Sequence, residues 1–258
     1  MSELSADRAA AVGEIPESAL DKPVVPLRLE SFDIIAEIKN RSPAEGQLAG
    51  PAIDRAARAQ QYVAGGAAAI SVLTEPSRFD GALEHLEEVI AAVPDTPVMR
   101  KDFLVDPVQI IEARQAGASG VLLIIAMLGE RQLRSLLDCA AEHGLFVLLE
   151  AFDETDLDRA ARLLESPADS QRAADGLLLF GVNTRDLRTL HVDPDRLEKL
   201  APALPQGCCV AESGLHDAQD AATAAALGYR LALVGTALMR SDDPASLIAA
   251  MRTAGAAA

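Results

Sequence analysis

Two scarce lysines stand where short apolar segments give way to polar residues. The chain has 23 basic residues, of which only four are lysines, and two of these, Lys39 and Lys101, directly follow Ile34–Ile38 and Val98–Arg100. Burial readily lowers the pKa of a lysine, which can then release its proton, whereas an arginine guanidinium stays charged. The placement of the two lysines therefore predicts a site that transfers protons.

Further acid–base and polar candidates follow other apolar segments. Side chains alternate between the two faces of an extended strand, so Glu37 lies on the same face as Lys39. Glu150, Asn183 and Glu212 each end another apolar segment, and together with Lys101 they are predicted to meet the first pair in one mouth. Ion pairs that only fix strand register are the structural alternative, but burying that many charged groups is costly.

Eight short apolar segments alternate with longer segments of helical periodicity. Most of them are continuously apolar rather than alternating, which is typical of parallel strands covered on both faces. Asp–Pro pairs at Asp106 and Asp243 and the Asp54 position mark starts of intervening helices. The predicted strands are Ile34–Lys39, Ala68–Leu73, Val98–Lys101, Gly120–Ile125, Leu145–Glu150, Leu177–Asn183, Cys208–Glu212 and Leu231–Gly235.

This alternation predicts an α/β fold, a (β/α)8 TIM barrel with a short N-terminal extension. Residues 1–30 form the extension, with at most one helix, and residues 31–258 form the catalytic barrel domain; the polar insert Glu165–Asp175 is predicted to be a surface loop. A doubly wound open sheet would share the alternation. The barrel is favoured because the polar residues gather at the C-terminal ends of the strands, where barrel enzymes carry their chemistry.

A second group of residues predicts a phosphate site after the last two strands. Ser213 and Gly214 follow the seventh segment, and Gly235 and Thr236 follow the eighth. Many barrels bind phosphate here through backbone amides and the start of a short helix. Glycine allows close backbone approach to an anion and the Thr236 hydroxyl can donate a hydrogen bond; ordinary turn glycines are the alternative.

The composition of the chain excludes several classes of binding partner. The formal charge of −16 argues against nucleic acid, which requires a basic face. No apolar segment approaches the ~20 residues that cross a bilayer, and the N-terminus lacks a signal-peptide pattern, so we expect a cytoplasmic protein without a membrane partner. Three cysteines without disulfide spacing fit a reducing compartment, and the four scattered histidines offer no metal site.

At this point the motifs resemble those of the indole-3-glycerol phosphate synthase family. The resemblance spans roughly residues 33 to 253, and its motifs fall in order on separate predicted strands. They are Glu37–Pro43, Ile70–Glu75, Arg100–Phe103, Glu150, Asn183–Arg185, Ala211–Gly214 and Val234–Arg240.

The resemblance implies a carboxy-lyase of tryptophan biosynthesis. It would convert 1-(2-carboxyphenylamino)-1-deoxy-D-ribulose 5-phosphate, an anionic anthranilate–sugar phosphate, into indole-3-glycerol phosphate, carbon dioxide and water. By resemblance Lys101 is the acid for ring closure and Glu150 the base of dehydration, assisted by Lys39 and Glu37. No cofactor or metal is implied, and the chain is expected to be a monomer or a weak oligomer.

The remaining site residues take supporting roles by the same resemblance. Asn183 and Glu212 would hold the sugar hydroxyls and orient the lysines, and Arg185 would add positive charge. The substrate-binding set comprises Ser42 in the first loop, Phe103, Leu122 and Ile124 against the aromatic ring, Arg185, and Ser213, Gly214, Gly235 and Thr236 around the phosphate.

The chain departs from the family pattern at three points. Its N-terminal extension is shorter than usual, Glu45 stands where a basic residue is common, and Thr184 varies the strand-six motif.

Three other interpretations remain. The chain could be a Schiff-base aldolase with a nucleophilic lysine, or a non-catalytic barrel that binds a metabolite. It could also be a barrel isomerase of the same pathway, although that enzyme usually has a cysteine near the end of strand one, the region where this chain has Lys39.

Overall fold

A computed structural model of the chain describes residues 2–13, 15–16, 20–43, 46–47, 54–186 and 191–258. Its centre is a parallel sheet of eight strands, each within one residue of a predicted segment at either end. The strands are β1 Asp33–Ile38, β2 Ala69–Leu73, β3 Val98–Lys101, β4 Gly120–Ile124, β5 Phe146–Ala151, β6 Leu178–Asn183, β7 Cys208–Glu212 and β8 Leu231–Val234.

The sheet closes on itself, which decides between the two predicted architectures. β1 pairs in parallel with β2 through Ile35↔Ala69 and with β8 through Ile34↔Ala232. An open sheet would leave two edge strands, whereas here each strand has two neighbours and the barrel is complete. The predicted (β/α)8 barrel is confirmed.

The helices that connect these strands surround the barrel. Predicted helix starts at Asp54, Asp106 and Asp243 are confirmed, because each side chain accepts a backbone hydrogen bond as an N-cap. The helices are α1 Ser2–Ala11, α2 Arg55–Ala64, α3 Pro76–Phe79, α4 Leu83–Ala92, α5 Pro107–Ala116, α6 Glu130–Glu142, α7 Glu154–Leu163, α8 Pro167–Ala174, α9 Arg196–Leu200, α10 Ala218–Ala226, α11 Thr236–Arg240 and α12 Pro244–Ala256.

The predicted surface loop Glu165–Asp175 is wrong, since most of it is helix α8. The segment is polar, but Asp169 is 2% exposed and its carboxylate pairs with Arg134 of α6 at 2.7 Å and with Arg172 at 3.7 Å. Ala173 is buried beside it. The pair with Arg134 is a tertiary contact, which composition does not reveal, and it holds α8 against α6.

Two hydrophobic layers hold the barrel together. The inner layer fills the barrel with side chains such as Ile35, Met99 and Leu148, and the outer layer lies between strands and helices. Leu27 and Leu29 of the N-terminal segment pack against the inner layer. Among the described residues no helix has the length and apolarity to cross a membrane.

The N-terminal segment runs along one side of the barrel. Helix α1 contacts the residues that follow β3, since the Ser5 hydroxyl donates to the Phe103 carbonyl. Further on, Lys22 donates to the carbonyl of Ala116 at the end of α5, and the backbone N–H of Val25 donates to Ser119. The segment therefore spans from the C-terminal end of β3 to the opposite end of the barrel, and it contains a single helix among its described residues.

Candidate active site

A cavity of about 280 Å³ opens at the C-terminal ends of the strands. It gathers side chains from segments far apart in sequence, as the strand-end pattern predicts. Of the predicted site residues, Glu37, Lys39, Ser42, Lys101, Phe103, Leu122, Ile124, Glu150, Asn183, Arg185, Ser213, Gly214, Gly235 and Thr236 line it. Glu212 is the one predicted site residue that does not line the cavity.

Lys101 lies at the centre of a cluster of carboxylates. Its Nζ is 3.6 Å from Oε2 of Glu37, 3.7 Å from Oε2 of Glu150 and 3.8 Å from Oε2 of Glu212. These distances exceed the usual 2.7–3.2 Å of an N–H···O hydrogen bond. The ammonium is thus held by charge attraction and its protons are not committed to one acceptor.

The cluster sets the protonation state of Lys101. Burial acts to lower its pKa, but the carboxylates of Glu37, Glu150 and Glu212 outweigh this and raise the pKa above the ordinary lysine value. Burial alone would lower the pKa of a lysine, the general tendency noted for lysines in the sequence analysis, but around Lys101 the carboxylates reverse the direction. At neutral pH the side chain is a protonated ammonium, the form that serves as an acid.

Glu212 carries the opposite perturbation among the carboxylates. Burial and the charge of Glu150 raise its pKa well above the ordinary value, against the opposing effect of Lys101. Neither of its side-chain oxygens has a hydrogen-bond partner among the residues that the structure describes, and the backbone of Gly181 makes room for it, because a Cβ there would overlap Oε1. A glycine in the middle of β6 is therefore required by Glu212.

Glu37 links the two lysines. One oxygen accepts from Lys39 Nζ at 2.6 Å and the other faces Lys101 at 3.6 Å. Burial acts to raise the pKa of Glu37, but the two ammonium groups lower it below the ordinary value. The three carboxylates and two ammonium groups leave one excess negative charge, which a proton on Glu212 would neutralise.

The predicted phosphate residues lie together on one side of the cavity. Ser213 and Gly214 have φ values of 67° and 76°, so the backbone after β7 makes a left-handed turn. This conformation is strained for serine but open to glycine. The Thr184 hydroxyl donates to the carbonyls of Glu212 and Ser213 at 3.2 and 3.1 Å, and thus fixes the turn.

Gly235 supports two parts of the site at once. It lines the cavity before α11, and a Cβ at this position would overlap a Glu37 oxygen and lie 2.8 Å from Lys39 Nζ. The predicted reason for this glycine was approach to phosphate. The structure adds the close approach of the Glu37–Lys39 pair.

The opposite side of the cavity is apolar. Leu122 and Ile124 from β4 lie next to Phe103, whose ring is 6.4 Å from the Phe79 ring at an angle of 53°. Tilted aromatic pairs at this distance are favourable. A flat aromatic ligand would be bounded by this wall.

The first loop reaches the cavity from β1. Ser42 is buried and pairs with Gly46 in a short hairpin. Asn40 donates to the carbonyl of Asp80 at 2.9 Å and accepts from Arg55, which ties the loop start to α2 and to the segment after α3. Glu45, the departure noted in this loop, lies outside the described residues.

Sequence reasoning missed several residues of the cavity wall. Arg78 and Phe79 come from α3, a four-residue helix that Glu75 holds by accepting from the backbone N–H groups of Ser77 and Arg78. Its start signal was visible, since Glu75 precedes Pro76, but so short a helix has no periodicity to detect. Leu73, Val192, Leu215, His216, Leu233 and Val234 also line the cavity.

Comparison with known proteins agrees with this geometry. A family model described as indole-3-glycerol phosphate synthase matches residues 24–251. The chain belongs to this family. Curated relatives named indole-3-glycerol phosphate synthase include one from Nocardioides sp., 45% identical over 89% of this chain and 83% of the relative.

Two further relatives extend the match. One from Salinibacter ruber is 42% identical over 89% of this chain and 80% of its own length. Another from Mycolicibacterium vanbaalenii is 42% identical over 97% of this chain and 89% of its length. The family expected from the motifs is confirmed.

Solved structures show the fold at greater distance. A 3-hexulose-6-phosphate synthase from Salmonella typhimurium aligns with a TM-score of 0.64 at 18% identity over 86% of this chain and 98% of that one. A thiamine phosphate pyrophosphorylase from Pyrococcus furiosus aligns with a TM-score of 0.58 at 14% identity, covering 87% and 95%. At these identities the likeness shows the barrel alone.

Proposed function

We propose that this member of the indole-3-glycerol phosphate synthase family closes the indole ring with Lys101 as acid and Glu150 as base. The observation that carries the proposal is the Lys101 ammonium, kept protonated within 3.8 Å of three carboxylates in the barrel mouth. The chemistry needs a proton donor and a proton acceptor a few ångströms apart, and this cluster supplies both.

Ring closure comes first. The ring carbon that bears the substrate carboxylate attacks the ketone carbon, a C–C bond forms, and the ketone oxygen takes a proton from Lys101. Developing negative charge on that oxygen is stabilised by the ammonium in a mouth that excludes most water. Lys101 is suited to this step because its side chain is only 14% exposed and protonated.

Decarboxylation and dehydration complete the indole. The carboxylate leaves as carbon dioxide and its bonding electron pair restores the aromatic ring. The new hydroxyl then leaves as water with a proton from a lysine, while Glu150 takes a proton from the neighbouring substrate carbon. Glu150 lies on β5, next to Ile124 of β4 in the strand register, so it faces the apolar side where that carbon would lie.

The substrate is oriented by opposite ends of the cavity. Ser213, Gly214, Gly235 and Thr236 bind the phosphate, and Phe103, Leu122 and Ile124 bound the aromatic ring. Lys39 pairs with the substrate carboxylate, while Ser42 closes from the first loop. Asn183 and Arg185 add polar contacts to the sugar and positive charge to the mouth, and Glu212 holds the lysines in place.

We further propose the setting in which the chain works. Residues 31–258 form the catalytic barrel domain and residues 1–30 its extension. The chain acts in the cytoplasm as a monomer or weak oligomer on a small phosphorylated substrate, with no nucleic-acid or membrane partner. The net charge of −16 supports the absence of a nucleic-acid partner, and light scattering coupled to gel filtration measures the oligomeric state.

One assay tests the proposed reaction. The chain is incubated with 1-(2-carboxyphenylamino)-1-deoxy-D-ribulose 5-phosphate and indole fluorescence is followed, with no background from tryptophan because the sequence has none. Wild type should give a fluorescent product, and Lys101→Met should give almost none. A wild-type chain that stays silent at high enzyme concentration would overturn the proposal.

The same preparation separates the proposed reaction from that of a Schiff-base aldolase. An aldolase needs a neutral, nucleophilic amine, whereas the surrounding carboxylates keep Lys101 protonated. Borohydride added during turnover should therefore leave no stable adduct on Lys101 or Lys39, which mass spectrometry of the intact protein checks.

A further inference from the structure

Helix α1 contacts the two residues that follow Lys101 in the chain. Ser5 and Arg8 lie one turn apart on the same face of this helix. The Arg8 guanidinium donates to both oxygens of Asp102, at 3.0 and 2.7 Å, and the Ser5 hydroxyl donates to the Phe103 carbonyl. The N-terminal helix is thus attached to the residue next to the proposed acid and to the aromatic wall.

Asp102 is the junction of this attachment. Its side chain is fully buried, and besides Arg8 it accepts from Thr74 at 2.7 Å and from Arg100 at 3.2 Å, as well as from the backbone N–H of Phe103 at 2.8 Å. Burial acts to raise the pKa of Asp102, but its bonds with Arg8 and Arg100 lower it below the ordinary value. The carboxylate is therefore charged and bound by three side chains and one backbone N–H.

The position of Lys101 depends on this junction. Lys101 is the last residue of the four-residue strand β3, and its carbonyl accepts from the Thr74 N–H at 3.1 Å. Its ammonium has only long contacts of 3.6–3.8 Å to carboxylates. Among the described residues no side-chain hydrogen bond of normal length fixes the ammonium, so its place depends on the backbone as well as on charge attraction, and the backbone beyond it is held through Asp102.

We propose that Arg8 is a positioning residue for Lys101 and acts through Asp102, so that helix α1 is part of the reaction machinery although it does not line the cavity. The inference rests on the role proposed above for Lys101. A proton donor displaced by about 1 Å can lose on the order of 100-fold in rate. Loosening the Asp102 carboxylate is expected to cause a displacement of that kind and to shift Phe103 with it.

The N-terminal segment offers a matched control. Lys22 is also a partly exposed cation of this segment, and it donates to the Ala116 carbonyl at 3.0 Å and pairs with Glu87 at 3.7 Å. These contacts lie at the far end of α5 from Asp102. Lys22→Met removes a cation that anchors the segment but leaves the surroundings of Lys101 intact.

The test compares Arg8→Met, Arg8→Lys and Lys22→Met with wild type under conditions where circular dichroism shows all four folded. Arg8→Met should lower kcat about 10- to 100-fold while KM changes less than about threefold, because the phosphate and aromatic contacts are kept. Arg8→Lys should be intermediate, since an ammonium cannot span both carboxylate oxygens. Lys22→Met should keep the wild-type kcat.

Chemical rescue gives a second measurement. Arg8 is 31% exposed, so methylguanidinium in solution should reach the gap in an Arg8→Ala variant and restore several-fold of kcat, with no effect on wild type or Lys22→Met. The inference is overturned if Arg8→Met keeps kcat within twofold of wild type, if Lys22→Met loses as much, or if methylguanidinium restores nothing. An inactive wild type would instead overturn the proposed reaction.

Discussion

Replacing Lys101 by methionine tests the charge balance of the site as well as its chemistry. Methionine keeps most of the length and packing of the lysine side chain but removes the ammonium. Three buried carboxylates then lose a cation at 3.6, 3.7 and 3.8 Å. Glu37 keeps Lys39 at 2.6 Å, so Glu150 and Glu212 are the groups left without compensation.

The expected loss of unfolding free energy follows from these distances. At about 3.7 Å and an effective dielectric constant of about 20, one ion pair amounts to roughly 4 kcal/mol. Breaking a buried pair by removing one partner costs about 3–5 kcal/mol of unfolding free energy. The variant avoids part of this loss by binding a proton on Glu212, whose pKa is raised, so its stability depends on pH.

The direction in which stability changes with pH follows from the direction of each pKa change. The raised pKa of Lys101 stabilises the wild-type fold below the ordinary lysine pKa, and this contribution is lost only as pH rises through the folded value. It is therefore constant between pH 5.5 and 8.5. In the variant the raised pKa of Glu212 rises further, so the folded state binds more protons than the unfolded state and its stability falls as pH rises.

Denaturation midpoints in guanidinium chloride, followed by far-ultraviolet circular dichroism at pH 5.5, 7.0 and 8.5, measure the difference. We expect Lys101→Met to be destabilised by about 3–5 kcal/mol at pH 8.5 and by clearly less at pH 5.5, with kcat lowered about 100- to 10,000-fold. Lys199→Met, which removes a 60% exposed lysine, is the control and should change neither. A loss of stability that is equal at the two pH values would refute the electrostatic reasoning.

Three further variants probe single contacts. Glu212→Gln should stabilise the fold by about 0.5–2 kcal/mol, and more at pH 8.5 than at 5.5 because a raised carboxyl pKa costs stability as pH rises; thermal midpoints equal to wild type at both pH values would contradict this. Gly181→Ala should lower the unfolding free energy by about 1–3 kcal/mol, because its Cβ overlaps Glu212. The loss should disappear in the Gly181→Ala, Glu212→Ala double variant, and chemical denaturation measures both. Arg78→Ala should raise KM about 3- to 10-fold at unchanged kcat, because this exposed cavity cation attracts the anionic substrate; a KM whose dependence on salt matches that of wild type would argue against that role.

Most of the fold was predictable because strands that are buried on both faces have recognisably apolar sequences. Most strands are continuously apolar segments, and two helices begin with an aspartate followed by proline, features that depend only on local sequence. Closure was harder, since β1 pairs with β8 nearly 200 residues away. Helix α8 was missed because the ion pair of Asp169 with Arg134 of α6 helps to hold it, and no local pattern encodes a contact 35 positions apart.

The location of the site was predictable from the sequence, but the electrostatic interactions within it were not. Strand alternation put Glu37, Lys39 and Lys101 at one mouth, and the structure brings them together. The direction of the Lys101 pKa depends on how many carboxylates lie around it, which one sequence cannot specify. Arg8 was missed for a related reason, because it acts across 94 positions of sequence on Asp102.

The scarcity of lysine takes on a different meaning once the carboxylates are in place. A lowered pKa is not what distinguishes Lys101 from an arginine here, since its pKa is raised. What distinguishes it is that an ammonium can give its proton to a strongly basic alkoxide and later recover it, whereas a guanidinium retains its proton throughout. An arginine fork would also bind Glu37 or Glu150 through two hydrogen bonds. The long contacts of Lys101 keep its protons available, and this arrangement requires the backbone of β3 and Asp102, in addition to the charge attraction of the carboxylates, to hold it in place.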